Sequence, residues 1–153
     1  MRPWTTIAPD AGPATLHSMV TLAPAGKLRE LRDTLLTLHK ALLDSERVGY
    51  EQAIGPIPSP NHFVRLVTTD PWFAWLHPLS RLIVAMDEKM DDPEALTSSD
   101  VEALLEETRQ LLVASEEGDG FPRSYFEALQ RDPDVVFAHA KAAELFRQRT
   151  RRV

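Results

Sequence analysis

Leucine recurs at positions 28, 31, 35, 38 and 42, a 3-4 spacing that places all five on one side of an α-helix. The pattern predicts a long first helix from Lys27 to about Ala53. Gly49 continues the stripe and permits close helix approach, and Gly55-Pro56 marks the stop. A second stripe, Val101, Leu104, Leu105, Leu111 and Leu112 with Thr108 at its seam, backs a polar side of Glu102, Glu106, Glu107, Arg109 and Gln110. In a last helix, from Pro133 to about Thr150, the inner side is read as Val135, Val136, His139, Ala142, Ala143 and Phe146.

The stretch from Asp70 to Met90 departs from this two-sided pattern. Between Pro71 and Met86 its one formal charge is Arg81, so it is read as the buried helix around which the others pack. Pro78, Arg81 and its limited length argue against a bilayer span. Pro78 lacks an N–H and collides with the Ala74 carbonyl. A kink or break is expected there, leaving an unpaired carbonyl and a gap lined by indoles and an imidazole.

Helix punctuation is regular. Ser59-Pro60, Asp70-Pro71 and Asp132-Pro133 each pair a capping residue with proline at the first helical position. Thr97 and Asp100 have capping-box spacing. Short helices are expected over 60–68 and 122–130, the second after the Gly118-Asp119-Gly120 break. No segment alternates as a strand between hairpin turns. The fold class is therefore all-α: a bundle of about four main helices plus two short ones, forming one domain over 27–150. Residues 1–26, with Pro3, Pro9, Pro13 and Pro24, read as an extended or partly disordered arm. Trp4, Ile7, Leu16 and Met19 are its candidate anchors on the bundle.

Charge narrows the partners. The net charge is −6, which opposes general binding to nucleic acid or anionic membranes. The basic run RQRTRRV at the C-terminal end reads as a solvated tail. The absence of cysteine excludes disulfides, thiolate metal sites and cysteine nucleophiles, and suits a reducing compartment. No apolar leader flanked by basic residues opens the chain, so a cytoplasmic location is expected.

Two constellations are candidates for chemistry. His39, Leu43, Glu46 and Tyr50 follow steps of four, three and four along one helix face beside the leucine stripe. They read either as a ligand or metal pocket or, more plainly, as a hydrogen-bonded boundary row. Trp72, Phe73, Trp75 and His77, with Tyr50, are the candidate ligand-binding set around Pro78. The plainer alternative is a core packed around large aromatics. The acidic turn 116–120 lacks the spacing of a calcium loop. No Glu-x-x-His pair, phosphate-binding glycine loop or nucleophile elbow occurs. A metal or haem site would have to assemble from His39, Glu46, His77 and His139 on different helices; which cofactor, if any, is bound stays open.

The blocks NHFVRLVTTDPWFAWLHPLSRLIVAMDE and EEGDGFPRSYFEALQRDPDVVFAHA resemble a group of small bacterial helical proteins to which no activity is attached. The resemblance runs from about Leu38 to His139. It implies that these stretches form a unit in a bacterial cytoplasm, and it supplies no catalytic residue. The resulting expectation is a non-enzymatic bundle binding a partner protein or a small apolar ligand near the aromatic helix, with homo-oligomer formation open. The competing expectation is a metal- or haem-binding bundle.

Overall fold

A computed structural model describes the backbone of residues 11–152 and the side chains of residues 24–148. The element order is α1 (Ala11–Ala53), α2 (Pro60–Thr69), a 3-10 helix (Pro71–Leu76), α3 (His77–Met90), α4 (Ser98–Leu111), α5 (Gly120–Arg131) and α6 (Pro133–Arg152). There is no strand among the described residues, so the chain is an all-α bundle. No helix among them is long and apolar enough to cross a membrane.

The leucine stripe sets the packing. Leu28, Leu35, Leu38 and Leu42 are fully buried and Leu31 nearly so. They turn α1 into the central post against which α3, α4, α6 and the 3-10 helix pack. Leu79, Ile83 and Met86 from α3, Val101 and Leu104 from α4, and Val135, Ala138 and Ala142 from α6 complete that core. A side chain every third or fourth residue keeps the inner face of α6 on Val135, Ala138 and Ala142. Val136, one residue off this line, is 43% exposed, which corrects its assignment to the inner side. Leu105 and Leu111 of α4 are half-buried, while Thr108 at the seam is fully buried and bonds the Leu104 carbonyl at 2.7 Å.

The punctuation behaves as its chemistry requires. Ser59 accepts the His62 N–H (3.1 Å), and Asp70 accepts that of Trp72 (2.9 Å). Asp132 accepts that of Asp134 (3.0 Å) at the start of α6. Thr97 and Asp100 form a reciprocal capping box. Gly55, at φ 145°, ends α1 in a conformation that side chains disfavour. The first helix starts sixteen residues before Lys27, because α1 begins at Ala11. Pro13 falls in the first turn, where a missing N–H is harmless, and the alanines at 11, 14, 23 and 25 favour helix. Pro24 lies inside the helix rather than ending it. Of the expected arm, residues 1–10, Trp4 and Ile7 among them, lie outside the described residues, and so do the side chains of Leu16 and Met19.

Pro78 breaks the central stretch rather than kinking it. Residues 71–76 wind as a 3-10 helix and α3 starts at His77, so Pro78 occupies the first turn of a new helix. Its missing N–H is one that a helix start leaves unbonded in any case. The expected unpaired carbonyl is not formed: the Ala74 oxygen accepts the His77 N–H. A proline well placed at a helix start restricts the unfolded chain. Pro78→Ala is therefore expected to lower stability slightly, by up to about 1 kcal/mol. A thermal midpoint several degrees above wild type would show instead that the proline is strained.

Candidate functional site

Two regions qualify as a site: the aromatic segment and a groove on the opposite flank of α1. The first is organised by one carboxylate. Glu46 is only 8% exposed, and three donors converge on it from two other elements. Trp72 Nε1 donates to Oε2 at 2.8 Å, and Trp75 Nε1 donates to Oε1 at 3.2 Å. Arg131 Nη2 reaches Oε1 at 2.8 Å, and its Nε donates to Ser45 Oγ at 2.9 Å. Buried charge is tolerated where it is paired and hydrogen-bonded, and both oxygens here are. Glu46 thereby ties α1, the 3-10 helix and α5 together.

Aromatic packing extends this hub. Tyr50 meets Trp72 edge-on at 5.6 Å and Phe73 at 5.7 Å. Phe63 of α2 also meets Phe73, and Trp75 meets Phe121 at 5.3 Å. Phe73 is fully buried. The Trp72 ring also passes over Gly49, the small residue in the α1 stripe, at ordinary contact distance from where a Cβ would stand. The structure thus brings Tyr50, Trp72, Phe73 and Trp75 of the candidate ligand-binding set into one cluster. Their indole donors are spent on Glu46. His77 is not part of the cluster: its Nε2 donates to the Val67 carbonyl at 3.0 Å, fastening α3 to α2.

The four metal candidates are likewise held apart, each by its own partner. His39 Nε2 meets Ser80 Oγ at 2.8 Å, and Ser80 Oγ also lies 3.4 Å from the Leu76 carbonyl. Tyr125 OH meets His139 Nδ1 at 2.6 Å. Burial raises the Tyr125 hydroxyl well above the ordinary phenol range, so the phenol keeps its proton. Among the described residues no group of three or more His, Asp or Glu side chains is disposed to hold a metal ion. In the acidic turn, Arg123 bonds the Glu116 carbonyl and pairs with Glu127 of its own helix (3.4 Å).

These histidines predict an acid-sensitive fold. Burial lowers the pKa of both His39 and His139 below the ordinary imidazole value. Each is neutral in the folded chain at a pH where the unfolded chain, titrating near ~6.5, already takes up protons. Stability is therefore complete above about pH 6.5 and falls as the pH drops below it. Thermal midpoints recorded from neutral to mildly acidic pH should decline over that window, and less steeply in a His39→Asn, His139→Asn double variant. Equal slopes would assign the decline to other groups.

The second region was not singled out from the sequence. Between α1 and α6 runs a groove made of adjoining hollows. One of 510 Å³ is lined by Thr37, Lys40 and Asp44 of α1 and by Asp134, Phe137 and Lys141 of α6. It shares Asp33, Thr34 and Lys141 with a hollow of 600 Å³ farther along α6. It shares Asp132 and Phe137 with one of 290 Å³ at the α5–α6 corner. Phe137 stands between two hollows and is 69% exposed, beside the exposed Val136. A phenylalanine one position from the buried Ala138, on the charged side of its helix, was the available sequence signal. Periodicity alone groups it with the solvated side.

Comparison with protein-family models, with curated proteins and with solved structures gives no match in any of the three.

Proposed function

We propose that this chain is a non-catalytic helical bundle that binds a partner protein, and that the partner docks in the α1–α6 groove. One observation carries the reading. Among the described residues Phe137 is the most exposed of the large apolar side chains, and it lines a 510 Å³ concavity instead of packing into the core. An exposed aromatic beside a hollow with a polar rim is the composition of a protein contact surface. The aromatic segment supports this role indirectly. Its Trp N–H groups are engaged by Glu46, which Arg131 also meets, and its central Phe73 is buried, so it serves to hold the 3-10 helix, α1 and α5 in register.

Site-specific photo-cross-linking in the source cells tests the proposal. A photoreactive phenylalanine analogue at position 137 is expected to trap a discrete protein adduct. The same analogue at Val84, an exposed apolar position on α3, is expected to trap none. Adducts at both positions, or at neither, would overturn the assignment.

A further inference from the structure

We infer that the segment received by the groove is rich in arginine or lysine and carries an apolar side chain; this rests on the docking reading above. Four aspartates, Asp33, Asp44, Asp132 and Asp134, face the 510 Å³ hollow against two lysines, Lys40 and Lys141. Internal pairing uses up some of this charge unequally. Lys40 is held by Asp44 at 2.8 Å, and Asp33 is held by Arg32 at 2.9 Å. Arg131 adjoins Asp132 in sequence, but its guanidinium is committed to Glu46 and Ser45. Among the described residues no ion pair engages the Asp132 or Asp134 carboxylate.

Those two carboxylates sit where Phe137 is exposed. A guanidinium brought there meets acceptors and an aromatic face together, and an adjoining apolar side chain finds a hollow to fill. The −6 net charge of the chain favours the same class of partner over long range and disfavours acidic ones. Lys40 and Arg131 are paired with Asp44 and Glu46, whereas Lys141, and Arg29 in the adjoining hollow, have no ion pair among the described residues and set a limit on affinity.

The test is fluorescence anisotropy of a labelled hexa-arginine peptide with a central leucine, titrated with the full chain. Saturable binding is expected, weakening as ionic strength rises toward roughly 1 M. Phe137→Ala should weaken it about ten-fold and Asp134→Asn about five-fold. Lys141→Glu should tighten it about five-fold, an improvement that misfolding cannot imitate. Both weakening variants alter exposed positions, so their thermal midpoints should stay near wild type. No saturable binding, equal binding of a hexa-glutamate peptide, or affinities indifferent to all three substitutions would overturn the inference. Concentration-dependent self-association, in sedimentation, that a peptide of residues 147–153 dissolves would support the basic occupant and overturn the separate partner protein, since the occupant would then be the arginine tail of a second copy. A cross-link at position 137 without peptide binding would leave the docking surface standing and sink only the basic partner. Loss of both would sink both.

Discussion

Glu46→Ala is expected to lower folding stability by about 3 kcal/mol, roughly 6–12 °C in thermal midpoint for a chain of this size. The change leaves two indole N–H groups and a guanidinium without their acceptor. A half-buried indole deprived of its partner loses a charge-assisted bond and regains only part of it from water. Arg131 is 42% exposed and can turn to solvent, which keeps the loss below that of a fully buried pair. Arg131→Met should therefore cost less than Glu46→Ala, because Glu46 retains both indoles. Tryptophan emission of folded Glu46→Ala should shift to the red as the rings loosen. A midpoint within the spread of ordinary surface substitutions, about ±0.5 kcal/mol, would show that the hub holds nothing together.

Leu38→Ala, or Leu35→Ala, is expected to cost ~2–5 kcal/mol. Both side chains are fully buried on α1 and belong to the core that α1 shares with the other helices. Truncation leaves a cavity that a helix packed on several sides cannot close. Leu36, one residue after Leu35 and 44% exposed, is the internal control: Leu36→Ala should cost far less. Denaturant midpoints that fall equally for Leu36 and Leu38 would contradict the assigned face.

The helices were legible because their signals are local. A 3-4 leucine repeat and capping residues before proline act within a few residues, and those features set α1, α2, α4 and α6. The start of α1 was less legible, since prolines near a terminus suggest an arm while alanine-rich spacing sustains a helix. Pro78 illustrates a different limit. Its effect on the backbone is readable, but whether a carbonyl is left unpaired depends on the preceding turn adopting 3-10 geometry. Within the row His39–Leu43–Glu46–Tyr50, sequence placed the residues on one face. It could not say that Glu46 meets residues twenty-six, twenty-nine and eighty-five positions away. The groove was illegible for the same reason: Phe137 and Asp134 acquire meaning only when α6 lies along Asp33, Thr37 and Asp44 of α1.

The central claim is that recognition takes place between α1 and α6 while the aromatic segment serves the architecture. A map of amide chemical shifts, recorded on the folded chain as the arginine peptide is added, reads this most directly. The account predicts changes concentrated in residues 33–44 and 132–141, with Trp72 and Trp75 indole resonances unmoved. Changes centred on the two indoles, Tyr50 and residues 70–77 would contradict it and return the binding site to the aromatic segment.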